Sequence, residues 1–440
     1  MRWLVDVCYL LAAVLLLPVV IYRALTTGKY RRGWIQRLGG MPILPPDGRR
    51  VWIHAVSVGE INAVRGLVEM WREGSDNTEL IISTTTDTGY ARARQLFPDL
   101  LVIRYPLDIS WFVRRGLKRI APSMVVLVEL EVWYQFVTQA AKMEIPVAVI
   151  NGRLSETSIR RFKWIKPIAR QMFESLTWIG AQDKTYANRF CLMGVPAGRV
   201  TVTGSMKWDG AQITDYIEGT EELARAMGCD RNRPTWVCGS TGPGEEKLVL
   251  DAFGKLREKH QNLQLAVVPR KPERFGEVAD LIVRSGFDCI RRSDFPDGKA
   301  CPPLENSVML GDTMGELRKF YLLADVVFVG RTLARMGGSD MMEVAGLAKP
   351  IIVGSHTENF ADTMRQLEEG NAILVASADL ENPEAADILA DAVGKLLDDP
   401  VAARGMGDNG REVVKKNRGA TERTLDTLME IMRRAEHSVT

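Results

Sequence analysis

The chain is poor in the residues that build metal centres and disulfide frameworks. Among 440 residues there are six cysteines and four histidines. The cysteines (Cys8, Cys191, Cys229, Cys238, Cys289 and Cys301) lie far apart and form no C-x-x-C pair. That argues against a zinc site and a disulfide scaffold, and fits a reducing, cytoplasmic compartment. No D-x-D triplet, H-E-x-x-H or EF-hand loop occurs, so no metal and no cofactor is expected from motifs. An excess of one charge is lacking too. The 57 Lys and Arg nearly balance 55 Asp and Glu, a formal net charge of +2, which leaves no global basic field for nucleic acid. What is present is ordinary globular material, 46% hydrophobic and 25% charged. At roughly 150 residues per domain, the length suits two or three domains.

There is one long apolar run, LVDVCYLLAAVLLLPVVIY over residues 4–22. Nineteen residues at a rise of about 1.5 Å span about 28 Å, close to a bilayer's hydrocarbon core. Its single charge, Asp6, sits near the end, where water is expected to reach it. Arg23, Lys29, Arg31, Arg32 and Arg37 follow with no acid among them, so the rest of the chain is expected on the cytoplasmic side. A cleaved signal peptide fits less well, because only Arg2 precedes the run and no small-x-small cleavage site follows. A helix lying in the interface, kinked at Pro18, is the competing reading.

Beyond residue 46, short β-branched runs alternate with amphipathic stretches. The first series is VWIHAV (51–56), ELIIST (79–84), LVIRY (101–105), MVVLV (124–128), PVAVI (146–150), TWIGA (177–181) and VTVT (200–203). Residues 208–233 interrupt the rhythm. A second series begins with TWVCG (235–239) and QLAVV (264–268), and continues through SVML (307–310), DVVFV (325–329), PIIV (350–353) and AILV (372–375). Four- to six-residue buried runs separated by helices predict parallel strands in two doubly wound α/β domains. The domains are expected to face a cleft at the carboxyl ends of their strands. Residues 383–397, 401–416 and 419–435 read as helices closing the second domain.

Several strand-end segments carry chemistry. In HAVSVGE, Glu60 opens a helix after a strand, as a general base or simply as an acid favoured by the helix dipole. In VELEVW, alternation puts Glu129 and Glu131 on one face, and capping of the next helix with an Arg pair is the plain alternative. In TVTGSMKWD, Lys207 follows a glycine turn, either meeting an anion as a point charge or lying on a linker. The Gly-rich turn CGSTGPGEE (238–246) has backbone N–H groups suited to an anion, without Walker or G-x-G-x-x-G spacing. PRKPERF, GDTMGE and MGGSDMMEVAGLAKP add Arg270, Lys271, Glu316 and Glu343 to neighbouring loops, together suggesting a nucleotide site. A run of Arg160, Arg161, Lys163, Lys166 and Arg170 around Phe162 and Trp164 either meets lipid phosphates or is a solvated helix face.

Taken in order, the motifs resemble the Kdo (3-deoxy-D-manno-octulosonic acid) transferases of lipid A biosynthesis. They are HAVSVGE, STTTDTGYA, VELEVW, NGRLSE, GAQDKTYANRF, VTVTGSMKWD, PRKPERF, GDTMGELRKFYLLADVVFVG and GSHTENF, spread over nearly the whole chain. The resemblance implies an α/β fold of GT-B type, two Rossmann-like domains facing a cleft behind a membrane-anchor helix. On that pattern residues 1–30 are the anchor, 31–210 bind the acceptor and 211–440 bind the CMP-sugar. It implies Glu60 as proton acceptor, and Glu129 and Lys207 as transition-state stabilisers. It implies CMP contacts from Arg270 and Lys271, from Gly315, Glu316 and Leu317, and from Asp340, Met341, Met342 and Glu343, with Glu343 on the ribose. The donor would be CMP-Kdo and the acceptor a lipid A precursor, at the cytoplasmic face of the inner membrane. One stretch departs from the family. Where it has G-G-H-N-P-x-E, this chain has Gly337-Gly338-Ser339-Asp340-Met341-Met342-Glu343. Asp accepts but does not donate hydrogen bonds when ionised, so a different CMP-activated ulosonic acid, or a lipid-binding homologue without catalysis, are the rival readings.

Overall fold

The computed structural model describes residues 2–27, 32–45, 48–74, 77–296, 299–301 and 304–437. Lys29 and Arg31 of the basic run, and Pro46, fall outside them. The chain forms two compact units, residues 1–210 with 417–440, and residues 211–416.

In the first unit seven parallel strands are ordered β3-β2-β1-β4-β5-β6-β7. They are β1 Arg50–His54, β2 Glu79–Thr84, β3 Leu101–Arg104, β4 Met124–Val128, β5 Val147–Gly152, β6 Trp178–Ala181 and β7 Val200–Val202. β1, β4 and β5 are buried along their whole length, which is why they read as unbroken apolar runs. The winding reverses between β1 and β4, which pair directly. Ligands of open α/β sheets collect outside the carboxyl ends of strands at such a reversal.

The second unit is also a sheet of seven parallel strands, in the different order β10-β11-β9-β8-β12-β13-β14. The strands are β8 Thr235–Thr241, β9 Gln264–Pro269, β10 Asp288–Arg291, β11 Ser307–Leu310, β12 Val326–Val329, β13 Ile351–Val353 and β14 Ile373–Val375. The reversal here lies between β8 and β12. β10 escapes the sequence reading because it is an edge strand paired only to β11, and just one of its residues, Ile290, is buried. It therefore has no apolar run to announce it.

Two expectations about the termini change. The last helix, Ala420–His437, belongs to the first unit and not with the second domain. It buries Ala420, Leu425, Leu428 and Met432 against Trp71 and Leu67 in that unit's core. Its amphipathic pattern shows that it packs, but not on what. At the other end, residues Arg2–Thr27 form one helix running through Pro18. Among the described residues no helix is long and apolar enough to cross a membrane, so the structure gives the expected span no support. Asp6, placed by the sequence reading near water, is buried and bonded to the first unit. Val5 joins that unit's core and Tyr9 packs against it, whereas Val14, Leu15, Leu16 and Leu25 are exposed. Arg37, counted in the basic run, is also buried and donates to the Thr85 carbonyl at 2.7 Å.

Candidate functional site

In the first unit the site begins with the turn after β1. Ser57 caps the helix Val58–Ala63, its Oγ accepting from the Glu60 N–H at 3.3 Å. The Glu60 carboxylate reaches back, taking the Val56 N–H and the Ser57 hydroxyl at 2.8 Å each. This S-x-x-E arrangement satisfies one helix donor, the Glu60 N–H, and the Val56 N–H just ahead of the cap, so the plain helix-start reading of Glu60 is realised. It also fixes the carboxylate's position. Glu60 is 9% exposed, and burial pushes its pKa above the usual carboxylate value, opposed by those two donors and raised further by Glu129.

Glu129 and Glu131 come from the turn after β4, the strand beside β1. The strand stops at Val128, and Glu129 takes a left-handed φ of 59°. For a residue with a side chain this is an uncommon conformation, concentrated at functional turns. Strand alternation is therefore not what brings the two acids together; a turn does. Burial, then the Glu60 and Glu129 charges, lift the Glu131 pKa to about 7, while a hydrogen bond from Trp133 opposes them. The capping alternative for this pair fails. The next helix, Tyr134–Lys142, has no side-chain cap at Trp133, and its free N–H groups at Gln135 and Phe136 donate instead to Asp108 at 3.0 and 2.8 Å. Asp108 was not singled out from the sequence, though its place in L-D-I-S just before a helix is a capping signal.

Lys207 sits on the 3-10 turn Met206–Gly210, which packs against the Glu60 helix. The turn is pinned at both ends. Met206 N–H donates to Asn151 at the end of β5 at 3.2 Å, and Asp209 takes the N–H groups of Gly419 and Thr421 at 2.6 Å. Nothing among the described residues hydrogen-bonds or ion-pairs with the Lys207 ammonium. His54, in the same motif as Glu60, is a core residue. It stacks on Tyr105 with centroids 3.6 Å apart, and burial drops its pKa to about 3, so the ring stays uncharged near neutrality.

The second unit gathers its loops at the carboxyl ends of β8, β9, β11 and β12. The Gly-rich turn after β8 holds an anion, but the anion is its own. The Glu245 carboxylate accepts from Gly242 N–H at 2.8 Å and from the N–H groups of Arg331, Thr332 and Leu333 at 2.6, 2.8 and 2.9 Å. It thereby ties together the two turns that flank the winding reversal. Glu246 beside it takes a bidentate pair from Arg274 at 2.6 and 3.0 Å. Neither acid was recognised from the sequence, where an acidic pair at a helix start reads as dipole chemistry.

Arg270 and Lys271 follow β9, are exposed, and make no side-chain hydrogen bond or ion pair among the described residues. Gly315, with φ at +89°, and Glu316 lead into the helix Leu317–Leu323. Burial would raise the Glu316 pKa, but Thr313, Arg292 and Lys319 outweigh it and hold the carboxyl below its ordinary value. Gly337 and Gly338 turn with φ near +78° and +88°, and a Cβ at Gly337 would lie 2.2 Å from the Asn359 side chain. Of the four residues expected at this loop, Met341 and Met342 have buried side chains, so only their backbone is available to a ligand. Asp340 is exposed and accepts the Met342 N–H at 2.9 Å. Glu343 lies close enough to Asp340, Arg318 and Arg270 to feel their charges, and its pKa is raised, by burial first.

The GSHTENF motif braces this loop. Asn359 N–H donates to the Gly337 carbonyl at 3.1 Å, and His356 N–H to that of Thr332 at 2.8 Å. The His356 ring lies between Asp379, at 2.7 Å, and Glu358, at 3.2 Å, and these two acceptors raise its pKa. A cavity of about 390 Å³ lined by Arg231, Lys349, Arg404 and Arg411 opens at the amino ends of β8 and β13, the opposite edge of the sheet from these loops.

Known proteins give this geometry a family. The 3-deoxy-D-manno-octulosonic-acid transferase (kdotransferase) family profile matches residues 32–210. The 3-deoxy-D-manno-octulosonic acid transferase of Haemophilus influenzae is 33% identical, covering 92% of this chain and 93% of its own. That of Bordetella pertussis is 34% identical and covers 87% of each. Among solved structures, UDP-GlcNAc 2-epimerase from Neisseria meningitidis bound to UDP-GlcNAc superposes with a TM-score of 0.57 at 14% identity, covering 87% of this chain and all of that one. A glycosyltransferase from Rickettsia africae gives 0.54 at 12%, covering 88% and 99%. These two share the paired doubly wound fold and are too distant to say more. With a third of its residues shared with the Haemophilus enzyme end to end, the chain belongs to the 3-deoxy-D-manno-octulosonic acid transferase family.

Proposed function

We propose that the chain transfers Kdo from CMP-Kdo to a hydroxyl of a tetraacylated lipid A precursor, with Glu60 as general base. The observation that carries the reading is the Glu60 carboxylate. It is buried, held by two donors, shifted toward neutrality, and placed beside Glu129 and Glu131 at the β1/β4 reversal. The acceptor oxygen forms a bond to the anomeric carbon of Kdo as the bond from that carbon to the CMP phosphate breaks. CMP leaves with the electron pair, and the hydroxyl proton passes to Glu60. A carboxyl already biased toward protonation accepts it at low cost. Arg270 and Lys271, exposed and without side-chain partners, suit the phosphate of the donor, and Lys207 suits charge developing at the reacting centre.

Attachment to a bilayer belongs to the same reading. It is supported by the exposed apolar side chains of the N-terminal helix and by Trp164, 91% exposed among Arg160, Arg161 and Lys163. An exposed tryptophan within a basic helix suits a lipid interface better than a solvated face. The catalytic units would then work at the cytoplasmic face of the inner membrane.

The test is Glu60→Gln in the full chain, assayed by CMP release with CMP-Kdo and detergent-dispersed acceptor. Turnover should fall by at least ~10², the usual scale for a lost general base, with the donor KM little changed. Turnover close to the unaltered enzyme would remove Glu60 from the role.

A further inference from the structure

We infer that Asp6, in the N-terminal helix, is a positioning residue for the loop that carries Glu129 and Glu131. The inference rests on the proposed working of those acids with Glu60. It gives the helix a task beyond attachment.

An apolar attachment helix needs no carboxylate, yet this one buries Asp6 to 6% exposure and gives it three donors. Its Oδ1 accepts the Ser110 N–H and the Gln135 Nε2, each at 2.8 Å, and its Oδ2 accepts the Ser110 hydroxyl at 2.6 Å. Ser110 is the first residue of the helix Ser110–Ile120, and the residue before it, Ile109, provides no side-chain cap. Asp6 therefore acts as that helix's cap from 104 positions away in the chain. Gln135 is the second residue of the helix Tyr134–Lys142, which also lacks a cap of its own. One turn along from Asp6, Tyr9 hydrogen-bonds Asp108, the residue that takes the Gln135 and Phe136 N–H groups. One face of the N-terminal helix thus reaches the starts of two helices.

The second of those starts follows directly on the catalytic loop. Residues 129–133 run from the end of β4 to Tyr134. Their upstream end is fixed by the sheet, where Glu129 N–H donates to the Ile150 carbonyl at 2.9 Å. Their downstream end is fixed by Asp108 and, through Gln135, by Asp6. Glu129 holds a left-handed φ, a conformation that persists only where the surroundings over-determine it. Freeing the downstream end should let the turn relax and carry both carboxylates off their places beside Glu60. Misplacement of about 1 Å is enough to slow a reaction substantially.

The experiment compares full-length variants in detergent with dispersed acceptor, where attachment to a bilayer is irrelevant. Asp6→Ala should lower kcat about 10-fold with the CMP-Kdo KM unchanged. Hydrogen exchange should quicken at residues 129–136 and stay unchanged in the second unit. Asp6→Asn keeps an acceptor oxygen and should recover part of the rate. Replacing residues 1–27 by an unrelated apolar helix of equal length should repeat the loss, and a replacement helix that retains Asp6 and Tyr9 should recover it. Unaltered kcat in Asp6→Ala, or quickened exchange without loss of kcat, would overturn the inference. So would global loss of circular dichroism without recovery by Asp6→Asn, which marks a purely structural residue. The exchange readout does not depend on which group takes the proton. An active Glu60→Gln enzyme would therefore sink the base assignment while leaving the Asp6 result to be read separately.

Discussion

The two units are both seven-stranded parallel sheets with one winding reversal, though the second inserts β11 between β9 and the edge strand β10, and on the proposed function they serve opposite electrostatic tasks. At the β1/β4 reversal of the first unit the proposed functional groups are acids that the fold has partly desolvated, and the pKa values of Glu60 and Glu131 rise. At the β8/β12 reversal of the second, the equivalent buried acids are consumed by scaffolding. Glu245 knits two turns, Glu246 holds Arg274, and Asp312 takes Ser293 and Arg291. Arg270 and Lys271 beside them are exposed and make no side-chain hydrogen bond or ion pair among the described residues, while Glu343 is the site acid of this unit that burial shifts upward, as in the first. A group that must take a proton gains from burial, because burial moves its pKa toward the working pH. A group that must attract a dianion gains from remaining charged, hydrated and unpaired until the ligand arrives. On that reading the two sites differ in solvation, although both lie at the carboxyl ends of strands beside a winding reversal.

Kinetics should separate the two along that line. Loss of Glu60 should appear in kcat, by at least ~10². Loss of both Arg270 and Lys271, as the double alanine variant, should appear mainly in the donor KM. A rise of about 10² is expected, from two charge-assisted contacts at roughly 1.5 kcal/mol each, with kcat within about threefold. The donor KM of the unaltered enzyme should also climb with ionic strength, since the two cations are exposed and screened by salt. If the double variant instead lost kcat with its KM intact, the cations would act in the transition state, and the division of labour would fail.

A smaller effect concerns pH. Glu60 must be ionised to accept a proton, so kcat/KM should fall as pH drops through its raised pKa. Glu60, Glu129 and Glu131 interact, and protons leave such a cluster in steps that belong to the group. Removing the charge that raises it, with Glu129→Gln, lets Glu60 ionise more easily, and the acid limb should move down, by about one pH unit or less. A pH profile of kcat/KM for the two enzymes checks this. An acid limb that stays put would mean that the Glu129 charge does not reach Glu60.

How much of this was legible follows the same division. The buried strands were visible because burial on both faces leaves an apolar run, as in ELIIST, which is β2 residue for residue. β10 was not, because an edge strand carries no such run. Glu60, Glu129 and Glu131 stood out as acids beside strand ends. Their meeting depends on a left-handed turn at Glu129 that the alternation argument did not contain. Asp6, Asp108 and Glu245 were missed for a shared reason: each acts on backbone N–H groups of distant segments, and a sequence displays no partner for an acid whose backbone donors lie 27 to 104 positions away. The last helix was read correctly as a helix, but its place was decided by packing into the first unit's core cluster, which holds Trp71 and Leu67.

The smallest expected effect is on stability, and it takes opposite signs in the two units. In the first, Glu131 titrates at about 7 when folded and near 4.3 when unfolded. Between those values the folded chain holds a proton that the unfolded chain has released, so stability falls as pH rises from about 4.5 to about 7 and then levels off. Glu131→Gln removes that cost and can still accept from Trp133. It should stabilise the first unit at pH 8 by about 1–2 kcal/mol, the full linkage value being reduced because the group is only partly buried. That is a rise of about 2–6 °C in the midpoint of a unit this size, and it should vanish near pH 4.5. In the second unit Glu316 is held below its ordinary value by Thr313, Arg292 and Lys319. Its contribution is present above about 4.5 and lost as pH falls through the depressed folded value. Glu316→Gln should therefore lower the second unit's midpoint at pH 8 and do little in strong acid. Calorimetry of Glu131→Gln at pH 8 and about pH 4.5, and of Glu316→Gln at pH 8 and about pH 2, decides the matter. A gain in Glu131→Gln of equal size at both pH values would show that its source is packing, and that desolvation of the acid cluster is not what distinguishes the first unit from the second.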